Sequence, residues 1–247
     1  MDEFRKIKDE FYRIQCMNWI KNRGSGYSSA GKTLENILGK EDDTTSLPDF
    51  QGVELKTKVD GSEPYIGLFS MVPDSQPLLI NKILKTYGWP SRKNRSYNVF
   101  YAQIYGNKFT SIGNYFSYRL FVDYKKEELV LLIKNNFTFD TVTNISWSFQ
   151  QLNLRLSKKL TLLALFNVKK FYVKEQNDYY FKYYKMNLYR LKGFDYFLRA
   201  VDSGYIRLNI KIGFYEKGEY YGRIHNKGTT FEIDYLKLEE LFDLVND

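Results

Sequence analysis

The chain has 247 residues, 43% of them hydrophobic, enough to bury a real interior as one large domain or as two lobes sharing a core. A single cysteine, Cys16, excludes an internal disulfide, and a single histidine, His225, leaves too few ligands for a Cys/His zinc centre and makes a Ser-His-Asp triad a poor assignment. Lys and Arg total 37 against 29 Asp and Glu, for a net charge of +8. That balance favours a polyanionic partner, nucleic acid first, although a similar Lys excess is common in cytoplasmic proteins that bind none.

The 22 Tyr and 19 Phe offer stacking surface for bases, yet with the abundant Asn, Lys and Ile they fit better the codon usage of an AT-rich genome. No apolar run is long enough to span a bilayer, and the N-terminal Met-Asp-Glu-Phe-Arg-Lys carries mixed charge where a secretory signal has a basic and then an apolar stretch. The expectation is a cytoplasmic protein with no membrane partner.

In chain order, Phe4, Ile7, Phe11 and Ile14 stand at helical spacing, which predicts an amphipathic helix over 2–21. A Gly- and Ser-rich break follows. A short helix is then expected from about Ala30 to Leu38, with Ser28 or Ser29 as N-cap, Gly39 as C-cap and Glu35 in its middle. After an acidic loop, Pro48-Asp49 leads to Gly52-Val53-Glu54-Leu55-Lys56-Thr57-Lys58, which alternates like a strand with one face in the core. Residues 65–71 read as the next strand and 76–87 as a helix, before a loop whose Arg92, Lys93 and Arg95 are candidate phosphate contacts. Strands are expected near 97–105, 117–123 and 128–134, a helix over 149–159, and strands near 160–173 and 179–189. A helix around 194–201 ends at Ser203-Gly204; strands near 205–213 and 229–233 and a closing helix complete the chain. This mixture indicates an α/β or α+β fold. The sequons at Asn136 and Asn144 have no route to a glycosyltransferase without a secretory signal.

The chemistry concentrates in Pro48-Asp49, four residues, then Glu54-Leu55-Lys56. Phosphodiester hydrolysis needs a cation to neutralise the phosphate and lower the pKa of a water, and a group that orients the nucleophile. Two carboxylates and an ammonium supply these. Glu54 and Lys56 share a strand face, Asp49 can fold back to the same edge, and the Leu55 carbonyl between them is an extra candidate ligand. Hard oxygen ligands suit Mg²⁺. Asp, Glu and Lys at three fixed positions also recur by chance, so the spacing alone is weak; the apolar Val53 and Leu55 around Glu54 strengthen it. Glu35 adds a further carboxylate, unless it is a solvated helix-face residue.

The stretches Ala30 to Gly39, Pro48-Asp49-Phe50 and Val53 to Thr57 resemble the active-site region of the MvaI/BcnI restriction endonucleases, relatives of the mismatch-repair nickase MutH among the PD-(D/E)XK nucleases. Ser146 to Leu152 with Lys158-Lys159-Leu160, and Ser203-Gly204 through Ile210 to Gly213 and His225 to Thr229, resemble later blocks of that family in the same order, so the likeness covers nearly the whole chain. It implies a restriction-endonuclease-like core, a mixed central sheet flanked by helices, with two lobes around a DNA cleft. The catalytic lobe would lie mainly at about 25–160 and the recognition lobe at about 161–235, with the N-terminal helix packed on the core.

The resemblance further implies Asp49 and Glu54 as metal ligands, Lys56 orienting or activating the water, and Glu35 as an accessory carboxylate. It implies a monomeric type II enzyme that cuts double-stranded DNA with Mg²⁺, one strand and then the other, leaving 5′-phosphates, with a cognate DNA methyltransferase in the same system. Base reading would fall to the C-terminal blocks, where Tyr215 and His225 match and Arg223 is a further candidate contact. The MvaI pattern, however, has Asp at Asn209, Arg at Lys211, His at Lys227 and Arg at Glu232. An Arg forks onto guanine where Lys is a point donor, and an Asp that accepts from cytosine becomes an Asn suited to adenine, so the target is expected to differ from the MvaI sequence. Two other readings stay open: a MutH-like nickase, and a DNA-binding protein that has lost cleavage.

Overall fold

The computed structural model describes residues 4–24, 29–40, 47–75, 79–113, 115–142 and 145–245. Ser28, the start of the helix expected over 76–87, the acidic loop over 41–46 and Asn144 lie outside the described residues. In chain order the elements are α1 (Arg5–Cys16), β1 (Ile20–Lys21), α2 (Ser29–Ile37), β2 (Val53–Val59), β3 (Tyr65–Ser70), α3 (Leu79–Tyr87), β4 (Trp89–Pro90), β5 (Asn98–Tyr105), β6 (Thr110–Ile112) and β7 (Phe116–Asp123). They continue as β8 (Glu128–Asn135), β9 (Thr141–Val142), β10 (Ser146–Ser148), α4 (Phe149–Leu160), β11 (Leu162–Val173), β12 (Asp178–Leu191), α5 (Phe194–Asp202), β13 (Ile206–Phe214), β14 (Ile224–Asp234) and β15 (Phe242–Leu244). The fold is α+β. Among the described residues no helix is long and apolar enough to cross a membrane.

Two compact units interleave along the chain: Met1–Ile66 with Arg155–Gly193 and Leu241–Asp247, and Gly67–Leu154 with Phe194–Glu240. The division expected near residue 160 therefore does not coincide with a break in packing, because β11 and β12 share a sheet with β2.

The first unit is built on a mixed sheet ordered β1-β12-β11-β2, with β15 beside β12. Strand β11 runs parallel to β2 and antiparallel to β12. Its consecutive residues Leu163, Ala164, Leu165 and Phe166 are all buried, as a strand covered on both faces requires. On one face, Ala164, Phe166, Val168, Phe181 and Tyr183 pack with Ile7 and Ile14 of α1 and Ala30 and Leu34 of α2. Each of the larger side chains among them, such as Ile7, Ile14 and Leu34, contributes about 1.5–3 kcal/mol by leaving water. The Tyr183 hydroxyl donates to the Ala30 carbonyl at 2.7 Å and ties α2 to the sheet. Gly39, at φ +72°, gives the chain its left-handed exit from that helix. Helix α1 stops at Cys16, short of the expected residue 21: Asn18 turns into the left-handed region at φ 57°, and Ile20 then pairs with Phe181 as a strand residue.

The second unit holds two sheets, one ordered β3-β14-β13-β5-β4 and antiparallel from β14 to β4, and one antiparallel sheet ordered β10-β8-β7-β6 with β9 beside β8. Strand β13 alternates as the pleat demands: Ile206, Leu208, Ile210 and Ile212 enter the core, and Arg207, Asn209 and Lys211 share the other face. Where Lys211 pairs with Gly228 and Ile212 with Asn226, Lys227 is left over as a bulge. The closing helix is corrected. Tyr235–Glu240 is a 3₁₀ segment kinked at Lys237, and Phe242–Leu244 then joins β12 as a strand. Leu236 is 79% exposed while Leu238, Leu241 and Phe242 are buried, a pattern that gives an α-helix no continuous apolar stripe.

Candidate active site

Strand β2 lies at the edge of its sheet, so the backbone groups that do not face β11 are open to other partners. The Val53 and Phe50 backbones bond to each other there, at 2.8 and 2.9 Å, which folds the preceding turn back along the edge. Gln51 at φ 47° and Gly52 at φ 89° make that reversal. It brings Asp49 to the strand, where its Oδ2 accepts from the Leu55 N–H at 3.2 Å. In a strand the N–H and C=O of one residue point the same way, so the Leu55 carbonyl also faces the free edge beside Asp49.

Glu54 and Lys56 share the other sheet face, away from the α2 contacts of Val53 and Leu55. The Glu54 side chain is only 1% exposed. Lys56 Nζ donates to Glu54 Oε1 at 2.6 Å, and Lys159 Nζ, from the last turn of α4, lies 3.1 Å from Oε2. That second ammonium forms an ion pair with the buried Oε2. Lys40 pairs with Asp49.

The two carboxylates are driven apart in acidity. Burial raises the Glu54 pKa, and the neighbouring Asp49 charge adds to it, which Lys56 and Lys159 only partly offset. Burial also acts to raise Asp49, but there the hydrogen bond from Lys40 and the charges of Lys56 and Lys159 prevail and hold it below the usual carboxylate range.

Glu35 is half-buried on α2, one residue past Leu34, which packs on the opposite face of β2. Among the described residues no three His, Cys, Asp or Glu side chains form a metal-holding group. The structure thus joins Asp49, Glu54, Leu55 and Lys56, and places Glu35 on the adjoining helix. Two carboxylates, Asp49 and the buried Glu54, and an edge carbonyl are a donor set that fits a hard divalent cation, since Mg²⁺ takes one or two protein carboxylates and keeps waters. Sequence reasoning misses Lys159 and Lys40 as members of the site. The Lys158-Lys159-Leu160 block is a signal for the first; its sequence distance from Glu54 hides the contact.

The nine expected DNA contacts all lie in the second unit. Arg92, Lys93 and Arg95 are exposed on their loop. Glu216, in the β13–β14 turn, binds Lys93 at 2.6 Å and Lys227 at 3.3 Å, so loop and hairpin form one cluster. The Tyr215 and His225 rings stack at 4.0 Å, and Arg223 lies over Tyr220 at 5.3 Å. Lys211 is exposed, but Asn209 is 5% exposed and donates its amide to Glu232 at 2.7 Å. Glu232 also accepts from Arg207 Nε at 2.9 Å. Gln103, the cross-strand partner of Asn209 on β5, is exposed on that face and is not anticipated by the sequence.

Compared with solved structures, the chain superimposes on the complex titled restriction endonuclease MvaI with its cognate DNA substrate, at TM-score 0.91 and 25% identity over 99% of this chain and 98% of that one. It also matches restriction endonuclease MvaI in the absence of DNA, at TM-score 0.62 and 22% identity over 99% and 97% of the two chains. No curated protein matches it. The MvaI/BcnI restriction endonuclease family matches residues 8–242. With that match over nearly its whole length and a restriction-endonuclease fold around the Asp49–Glu54–Lys56 edge, the chain belongs to the MvaI/BcnI restriction endonuclease family and is a site-specific, DNA-binding deoxyribonuclease.

Proposed function

We propose that the chain is a type II restriction endonuclease that hydrolyses both strands of a specific duplex with Mg²⁺, leaving 5′-phosphates. The observation that carries this reading is the convergence of Asp49, Glu54 and Lys56 along β2, with the Glu54 carboxylate buried and Lys56 donating to it. Asp49, Glu54 and the Leu55 carbonyl would hold the ion. Mg²⁺ bound there would neutralise charge on the scissile phosphate and lower the pKa of a water. The chain's own part is positioning. Lys56, held to Glu54, orients the attacking water; Lys159 steadies the second Glu54 oxygen; Asp49, kept ionised by its lysines, is ready as a ligand at neutral pH. Glu35 serves as an accessory carboxylate from α2.

Arg92, Lys93, Arg95, Lys211, Arg223 and Lys227 supply cations for phosphates and base edges, with the Tyr215–His225 plate and Asn209 as further contacts. Asn209 reads DNA only where the Glu232 network leaves its Oδ1 accessible. The protein acts as a cytoplasmic monomer beside a cognate DNA methyltransferase. Digesting plasmid and phage DNA with purified protein and Mg²⁺, then sequencing fragment ends, tests the proposal. Discrete bands with one terminal sequence support it; open-circle plasmid alone indicates a nickase, and intact DNA a silent binder.

A further inference from the structure

Beyond the end of β2, strands β11 and β12 continue as a ribbon: β2 pairs with Leu162 to Val168, while β11 and β12 stay paired out to Val173 and Asp178. Register fixes which side chains share a face. Glu54 is level with Leu163 and Lys56 with Leu165, so the odd-numbered residues of β11 lie on the catalytic face, and Lys169 and Phe171 prolong it. Across the ribbon Lys182 partners Lys169 and Tyr180 partners Phe171, and Lys21 of β1 partners Tyr180. Trp19 completes the patch, its ring 5.9 Å from that of Phe171. The opposite face carries Phe181 and Tyr183 into the core with the helices.

This ribbon is strongly basic. Residues 19–23 and 169–185 hold seven Lys or Arg and two acidic residues, so a cationic surface remains even though Lys21 lies 3.6 Å from Asp178 and Asp60 accepts from Tyr184, whose ring lies under Lys169. Phe171 is 57% exposed and Trp19 41%, and the two rings meet to form one apolar patch on the cationic face. Cations interleaved with aromatic rings suit a phosphate backbone and its sugars. Reach supports the same partner. At about 3.3 Å per residue, Lys169 begins roughly 13 Å from the level of Lys56 and Val173 lies roughly 26 Å away. That span covers about four to eight base pairs of duplex.

We infer that the Lys169–Lys182 face of this ribbon is a sequence-independent grip on duplex DNA flanking the cut. The inference rests on the nuclease reading for its partner. Phosphates would meet Lys169, Lys182 and Lys21, and the rings of Trp19, Phe171 and Tyr180 would lie against deoxyribose. Because phosphates carry no sequence information, the grip strengthens binding to any duplex and leaves base choice to other residues.

The test measures affinity for a mixed-sequence duplex of about 40 base pairs in Ca²⁺ across a salt series, for wild type, Lys169→Ala/Lys182→Ala, Phe171→Ala, and Lys170→Ala on the opposite face. The double variant is expected to bind about tenfold more weakly at moderate salt, with the log–log salt slope reduced by about two, near 0.9 for each phosphate no longer neutralised. Phe171→Ala should weaken binding severalfold with the slope unchanged, and Lys170→Ala should behave as wild type. If the double variant unfolds earlier on heating, Lys169→Gln/Lys182→Gln keeps the packing stems and replaces it. Wild-type slope and affinity in the double variant, or an equal loss in Lys170→Ala, overturns the inference. Cleavage assayed in parallel separates the two ideas. Lys56-dependent cutting with an unchanged slope sinks the grip alone, whereas a lowered slope in a protein that never cuts DNA sinks the nuclease reading alone.

Discussion

Lys159 Nζ stands 3.1 Å from Glu54 Oε2, on the side of the carboxylate that Lys56 does not occupy. Glu54 is thereby held between two ammoniums, one from its own strand and one from the helix that leads into β11. Lys159 acts through Glu54, as a positioning residue. Lys159→Met is expected to reduce cleavage about 10–100-fold, the usual cost of removing an outer partner of a metal ligand, and to raise the Mg²⁺ concentration needed for half-maximal rate. Lys159→Arg should restore much of both. A Mg²⁺ titration that does not shift in Lys159→Met would assign the residue to structure only.

Glu54 and Asp49 should affect stability in opposite senses. The Glu54 pKa is raised in the folded protein, so its contribution is favourable at low pH and is lost as pH rises through that raised value. At neutral pH the buried charge costs stability. Metal-free Glu54→Gln is therefore expected to melt no earlier than wild type at neutral pH while losing cleavage, read by calorimetry beside a plasmid assay. Marked destabilisation would show that the lysine pairs outweigh the burial.

The Asp49 pKa is lowered on folding, so its stabilisation is present above the ordinary carboxylate value and fades as acid protonates it. Asp49→Asn should cost about 1.5–3 kcal/mol at neutral pH, typical of removing a charged hydrogen-bond partner. The gap to wild type should narrow below about pH 4, the unperturbed aspartate range. Urea unfolding at several pH values measures it; a gap that is constant down to acid pH would contradict the assignment.

Arg207 and Glu232 face each other at 2.8 Å, with the Arg207 side chain 5% exposed. Glu232→Ala takes the carboxylate from that guanidinium and frees the Asn209 amide, and is expected to destabilise the second unit by about 3–5 kcal/mol, as for a broken buried ion pair. Removing both partners in Arg207→Met/Glu232→Leu should recover most of the loss. Chemical denaturation of the set decides, and equal stability across all three would mean the pair is solvated.

The edge-strand half of the active site is legible in the sequence because it is local: alternation around Val53, Glu54, Leu55 and Lys56 sets the faces, and Gly52 marks the turn that returns Asp49. Long periodic elements such as β7, β8 and α4 are legible for the same reason. Strands β1, β4, β9 and β10 have two or three residues each, too few to show a period, and exist because a longer neighbour offers an edge. The lysines around the carboxylates are hidden differently. Lys159 reaches Glu54 only because β11 lies parallel to β2, a pairing across distant sequence that no local pattern encodes. Glu232 reads as one altered contact position, and its pairing with Arg207 and Asn209 emerges only once β13 and β14 are in register.

The most direct measurement is single-turnover cleavage of supercoiled plasmid in Mg²⁺ by wild type and by Lys56→Ala, with duplex affinity of both measured in Ca²⁺. Wild type should linearise the plasmid at discrete sites, and Lys56→Ala should bind comparably and cut at least a hundredfold more slowly, a loss of about 2.7 kcal/mol or more in transition-state stabilisation. Equal cutting by the two proteins, or none by wild type that binds, would contradict a catalytic centre at Asp49, Glu54 and Lys56.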